Sequence, residues 1–130
     1  MIVSSWIYSV IIILVVIIAY ALFNAWRAKR AVTTLSEEEF KAGYRKAQLI
    51  DVREKKEFDA SHILGARNLP STQIRTRQKE LRKDTPIYLY CDTGGRSSRA
   101  ALFLKGKGFT ELYQLQGGFK KWSGKTKSNY

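Results

Sequence analysis

The hydrophobic pattern divides the chain near Arg27. From Trp6 to Phe23 no side chain is charged, and Val10 to Ile18 is continuously aliphatic. About 20 apolar residues, rising ~1.5 Å each, cross the ~30 Å hydrocarbon core of a bilayer. The run is apolar all round, unlike a helix lying on a protein surface. Trp6 and Tyr8 at one end, and Tyr20 and Trp26 at the other, match the two interfacial belts of a spanning helix. Residues 1–26 are therefore expected to form one transmembrane anchor. A cleaved signal peptide is the competing reading, since Ala19-Tyr20-Ala21 resembles a small-x-small cleavage site. Against it, Met1 to Ser5 contains no Lys or Arg, and the apolar run is longer than a usual signal core.

After Arg27 the apolar positions come in short runs separated by polar turns. Residues 27–34 read as a basic juxtamembrane linker, with Ala31 to Leu35 as linker or edge strand. Ser36 followed by Glu37-Glu38-Glu39 predicts an N-cap with a glutamate at N3, and a helix to about Tyr44. Gln48 to Val52 predicts a buried strand, and Lys55 to Ala60 one or two helical turns. Ser61 to Pro70 is loop-like, with a short strand around Ala66 to Leu69. Ser71 is placed to cap a helix from Ile74 to Lys83 whose Arg75, Arg77, Lys79, Arg82 and Lys83 make a basic face. Pro86 to Tyr90 is rich in β-branched and aromatic residues and predicts a buried central strand. Ala100 to Leu104, apolar at helical spacing and closed by Gly106 and Gly108, predicts a helix.

Leu112 to Leu115 is a further short strand. Gly117-Gly118 opens a last helix from Phe119 to about Ser123, with Trp122 packed on the core. Residues 125–130 form a polar tail, expected to be mobile. Strands and helices alternate, so the fold class is α/β. The expected architecture is a small parallel sheet with helices on both faces over residues 35–124, preceded by one transmembrane helix.

Charge and cysteine usage narrow the function. The 130 residues carry 23 Lys+Arg against 11 Asp+Glu, a formal charge of +12, and every charged residue lies at or after Arg27. The domain is thus strongly basic, which suits nucleic acid, an anionic membrane face or anionic substrates. Arg27, Lys29 and Arg30 follow the apolar run and no basic residue precedes it, so the positive-inside tendency puts the carboxyl-terminal domain in the cytoplasm, below a single-pass anchor in the cell membrane. That compartment is reducing and favours a working thiol over a structural disulfide. With one cysteine and one histidine, an internal disulfide and the usual Cys/His zinc sites are excluded. No metal and no cofactor are expected.

The single cysteine opens the most informative stretch, Cys91-Asp92-Thr93-Gly94-Gly95-Arg96-Ser97-Ser98-Arg99. It lies between the predicted central strand and the next helix, at the carboxyl edge of the sheet where ligands bind in open α/β folds. Gly94 and Gly95 let successive amides point inward as a nest. The helix behind adds the positive end of its dipole, and Arg96 and Arg99 add full charges. Such a turn favours an anionic sulfur acting as a nucleophile. The bland alternative is a buried cysteine closing a strand.

Taken together, residues from about Leu35 to Trp122 resemble a single rhodanese domain. The matching pieces are Leu49 to Glu54 with Glu57-Phe58, and His62-Ile63 with Gly65-Ala66 and Asn68-Leu69-Pro70. They continue with Tyr88 to Cys91, Gly94 with Arg96-Ser97, Gly108-Phe109, and Leu115 to Trp122. The resemblance implies a sulfurtransferase in which Cys91 takes a sulfane sulfur, becomes a persulfide and passes it to a thiol or other nucleophile. It implies that Asp92, Thr93, Gly94, Gly95, Arg96 and Ser97 hold the transferred sulfur, and that Arg96, with Arg99, attracts an anionic donor such as thiosulfate or serves a persulfide-carrying protein. Ser61 and Leu64 stand where the family usually has Gly and Pro, and Asp92 places a negative charge beside the nucleophile. With no second cysteine, discharge goes to an external thiol.

Other residues have plainer readings. His62 is a potential base, yet a lone histidine in a turn is more often structural. Asp51 and Arg53 end a strand on the same edge and are accounted for by an ion pair or loop tether. A cysteine-dependent phosphatase or arsenate reductase needs five residues between Cys and Arg, whereas Arg96 follows Cys91 after four. A non-catalytic, membrane-tethered interaction module would use the basic face with Lys120, Lys121, Lys125 and Lys127 on anionic lipid or a partner. No nucleic-acid motif accompanies these charges, and no specific nucleic acid is predicted.

Overall fold

A computed structural model describes residues 2–130, apart from the side chains of residues 2, 3, 28 and 29. Met1 and the side chain of Lys29, both used above, lie outside the described residues. The first element is one long helix, α1 (Ile2–Ala31), whose segment Ser4–Arg27 is long and apolar enough to cross a membrane. Its large apolar side chains from Trp6 to Trp26 are exposed. The helix does not end at the first charges. Arg27 lies over the Phe23 ring at 5.8 Å and Arg30 over Trp26 at 4.7 Å, both one turn back. With no Gly or Pro before Ala31, nothing stops the helix, so the expected linker at 27–34 is mostly helical.

The rest is a five-stranded, all-parallel sheet in the order β1-β6-β5-β2-β4. Its strands are β1 (Thr33–Leu35), β2 (Gln48–Asp51), β4 (Arg67–Asn68), β5 (Ile87–Tyr90) and β6 (Leu112–Leu115). The helices are α2 (Glu37–Gly43), α3 (Lys55–Ala60), α4 (Ile74–Arg77) and α5 (Gly95–Gly106). Strand alternation sorts the core into two halves. Ile87, Leu89, Ile50 and Val52 pack with Ala101 and Leu104 of α5 and Ile74 of α4. Leu49 and Tyr90 pack on the other face with Phe40 of α2, against Tyr44, Tyr88 and Trp122. The expected α/β architecture, with helices on both faces, is what the chain adopts.

Local signals account for most boundaries. Ser36 caps α2 in a capping box with Glu39, the side-chain oxygen accepting from the Glu39 amide at 3.2 Å. Trp122 meets Phe40 and Tyr44 edge-on, as expected of a core residue. Two expectations fail. The helix foreseen from Ile74 to Lys83 is one α-turn followed by a 3-10 turn to Glu80, because the chain turns extended to bury Leu81. The last helix is likewise a 3-10 turn, Phe119–Lys121.

The polar tail is pinned. β7 (Thr126–Lys127) pairs antiparallel with β3 (His62–Ile63), and the Asn129 amide donates to the Asp59 carbonyl of α3 at 2.9 Å. Backbone groups of β3 and the end of α3 thereby gain partners that neighbouring strands do not supply. Phe40, fully buried at the centre of the aromatic half-core, tests the packing. Phe40→Ala is expected to cost about 3–5 kcal/mol, measured by denaturant unfolding of the full chain in detergent.

Candidate functional site

Three parallel strands, β2, β5 and β6, end at one edge of the sheet, and the loop after β5 carries Cys91. Cys91 is buried among the side chains beneath α5. Its Sγ accepts hydrogen bonds from the Gly94 amide at 3.0 Å and the Ser97 amide at 3.4 Å. The Ser97 hydroxyl stands 3.6 Å away. This wrap requires Gly94 at φ +114°, a left-handed conformation that residues with a Cβ rarely adopt. Gly94 is also the N-cap of α5, so the Ser97 amide of the first turn, left without a helical acceptor, reaches the sulfur beside that of Gly94. The amides of Thr93, Gly95 and Arg96 have no acceptor among the described residues. They are open donors at the positive end of the α5 dipole.

The carbonyl side of the loop is fixed from behind. The Phe119 amide donates to the Cys91 carbonyl at 2.8 Å and the Lys120 amide to the Asp92 carbonyl at 3.2 Å. Gly118, at φ +67° and ψ −168°, permits this approach, since a Cβ there would collide with the Cys91 and Asp92 carbonyls. The glycine pair that looked like a helix start thus serves the cysteine loop.

A chain of charges laces the loop to its neighbours. Arg53 is buried and forms a forked pair with Asp51, with Nη2 at 2.7 Å from Oδ2. It also donates to the Ser61 carbonyl at 2.6 Å and reaches Asp92 at 3.4 Å, with its guanidinium over the Phe119 ring. Arg96 makes a bidentate pair with Glu57 of α3, both contacts at 2.9 Å, and approaches Asp92 at 3.6 Å. Asp51 and Arg53 thus link the end of β2 to the carbonyl of Ser61. Arg96 is held by Glu57, so its charge is already matched by a carboxylate. Among these groups three carboxylates face two guanidiniums. Arg99, exposed on the second turn of α5, is in no ion pair among the described residues.

His62 stands apart from this group. Its Nδ1 is 2.8 Å from the Phe58 carbonyl and its ring stacks on Phe58 at 3.8 Å, which is a structural placement. Sequence reasoning missed Glu57, Ser98 and Gln114. Gln114 is buried on β6, with Oε1 at 2.7 Å from the Ser97 hydroxyl and 3.1 Å from that of Ser98, while Nε2 donates to Thr34 at 3.0 Å. The signal was available: strand alternation puts Gln114 on the face of Leu112, a polar side chain at a core position. No pattern within the chain links Glu57 to Arg96, 39 residues away.

The comparisons with known proteins agree with this geometry. Residues 36–125 match the family model of the rhodanese-like domain. The chain belongs to the rhodanese family. It is 55% identical over 119 residues to the uncharacterised protein YqhL of Bacillus subtilis, covering 92% of this chain and 94% of that one. It is 36% identical over 76 residues to the thiosulfate sulfurtransferase GlpE of Pseudomonas putida, covering 58% and 69% of the two chains. The crystal structure of a rhodanese-related protein from Thermoplasma volcanium superposes with a TM-score of 0.64 at 26% identity, over 69% of this chain and 89% of that one. Rhodanese relatives of this chain thus include a sulfurtransferase.

Two predictions test the loop's supports. Gly118→Ala places a Cβ in a conformation reserved for glycine and against two carbonyls, and should destabilise the protein by about 1–3 kcal/mol or more while exposing Cys91 to alkylation, read by the rate of modification. The hydrogen-bonded Arg96 guanidinium holds the Glu57 carboxyl down at about 2, against an ordinary value of 4.5. A carboxyl whose folded value is depressed stabilises the fold above its ordinary value and loses that contribution as pH falls. The gap in melting temperature between the wild type and Glu57→Gln should therefore be constant above pH 4.5 and close between 4.5 and about 2.

Proposed function

We propose that this rhodanese-family protein is a membrane-anchored sulfurtransferase that carries sulfane sulfur as a persulfide on Cys91. The observation that carries the reading is the Cys91 sulfur held by the Gly94 and Ser97 amides, with further unoccupied donors on the same turn. In loading, the Cys91 thiolate attacks the outer sulfur of thiosulfate or of a protein persulfide. The new S–S bond forms as the old one breaks, and sulfite or the carrier's thiolate leaves with the electron pair. The persulfide sulfur is anionic, and the amides of Thr93, Gly95 and Arg96 are its natural donors. In discharge, an acceptor thiolate takes the outer sulfur and Cys91 is regenerated.

Four residues between Cys91 and Arg96 make a cradle sized for one sulfur, which argues against phosphate or arsenate chemistry. Asp92, Thr93, Gly94, Gly95, Arg96 and Ser97 form the binding loop. Arg96 shapes it through Glu57, and Arg99 is the cation available to an incoming anion. Asp51, Arg53 and His62 are assigned to support. The apolar segment Ser4–Arg27 supports α1 as a single-pass anchor, and Arg27 and Arg30 behind it support a cytoplasmic domain.

Intact mass of the full-length protein in detergent, after thiosulfate or a polysulfide, should rise by one sulfur atom. Cyanide or a thiol should remove that sulfur, and Cys91→Ser should never acquire it. No gain with any donor would leave a tethered interaction module as the better account.

A further inference from the structure

The Cys91 loop faces α1, which matters on the sulfur-carrier and anchor readings above. α1 and α5 run side by side in the same direction. Ala21, Asn24 and Ala25 of α1 stand opposite the loop and first turns of α5, from Thr93 to Arg99, whereas Arg27 and Ala31 stand opposite Leu102 and Lys105. If Trp6 to Phe23 fills the hydrocarbon core, Ala21 lies at its inner edge and Asn24 and Ala25 at the bilayer interface, all within about two helical turns (~5.4 Å each) of Arg27. The carboxyl edge of the sheet is then the part of the domain nearest the membrane.

Between α1 and that edge lies a cleft of about 940 Å³, within the size range of small-molecule sites and far larger than a thiosulfate ion fills. Its wall on α1 is small and mostly apolar, at Ala21 and Ala25 around Asn24. Leu102 adds an apolar side chain from α5, and Thr93, Gly94 and Gly95 of the cysteine loop close one side. Arg99, the cation left without a carboxylate, stands at the same cleft. A cleft with a mostly apolar wall on α1, one positive charge with no carboxylate partner among the described residues, and open loop amides are complementary to one kind of molecule.

We propose that the cleft between α1 and α5 binds an amphiphilic, anionic thiol partitioned in the membrane, and that this molecule is the acceptor of the Cys91 sulfur. Its apolar chain lies against Ala21, Ala25 and Leu102, its anionic group pairs with Arg99, and its thiol reaches the loop. Transfer needs no further reactant. The acceptor thiolate forms a bond to the outer sulfur, the bond between that sulfur and Cys91 breaks, and the electron pair stays on Cys91 as thiolate.

The test uses full-length protein in liposomes, with Cys91 loaded by thiosulfate or polysulfide and discharge followed by mass. The acceptors are N-dodecanoylcysteine and N-acetylcysteine, which share thiol and carboxylate and differ in acyl chain. Ala21→Trp and Ala25→Trp each fill the cleft from an exposed helix position. The ratio of rates for the long-chain over the short-chain acceptor should fall by about tenfold or more in each variant, the effect of losing roughly two buried methylenes. Vesicle partitioning of the acceptors is common to all three proteins and cancels. Arg99→Gln should erase the preference for N-dodecanoylcysteine over its neutral amide. A loaded Cys91 whose ratio is unchanged in both Trp variants overturns this inference alone and points to a protein acceptor. Failure to load Cys91 in the wild type overturns the sulfur-carrier reading and this one with it.

Discussion

A sulfur atom buried at the mouth of a parallel sheet needs hydrogen-bond donors, and nearly everything around Cys91 follows from supplying them. The donors are backbone amides freed by the start of a helix, so they exist only if α5 begins directly over the strand that delivers the cysteine. Gly94 makes that possible by turning the chain through a left-handed conformation at the N-cap. Because the donors are main-chain groups, the site depends on the backbone staying in place.

Two kinds of restraint hold it there. Behind the loop, the Gly118–Phe119 turn takes up the Cys91 and Asp92 carbonyls at backbone-to-backbone distance. At its sides, the ionic chain from Ser61 through Arg53, Asp51 and Asp92 to Arg96 and Glu57 ties β2, α3 and the cysteine loop into one unit. Arg53 is buried with its partner, where removing either member would strand a charge. With Arg96 matched by Glu57, the positive groups left open at the loop are the amides, the α5 dipole and Arg99, among the described residues. A further polar network, Ser97 and Ser98 on Gln114 and Gln114 on Thr34, reaches from the sulfur to the outermost strand next to α1.

The apolar helix α1 continues directly into the domain. Ala31 and Val32 are buried, and β1 starts at Thr33, so no flexible stretch separates the apolar helix from the sheet. The short connection restricts how far the domain can turn, and α1 packs along α5. Orientation of the cysteine loop relative to the apolar segment is therefore a property of the fold.

Much was legible in the sequence because it depends on near neighbours. The apolar run, the capping box at Ser36, the β-branched strand before Cys91 and the glycine turn after it each state a local preference. In order and spacing they specify the family and the α/β sheet. The tertiary structure decided the rest. The tail at 125–130 is pinned because Thr126–Lys127 pairs with β3, a partner far away in the chain. Arg96, read from the sequence as a charge for an anion, is paired in the fold with Glu57 of α3. A charge shows in a sequence, but what neutralises it depends on which elements the fold brings together. Local chemistry named the cysteine; long-range pairing determined which of its neighbours remain free to act.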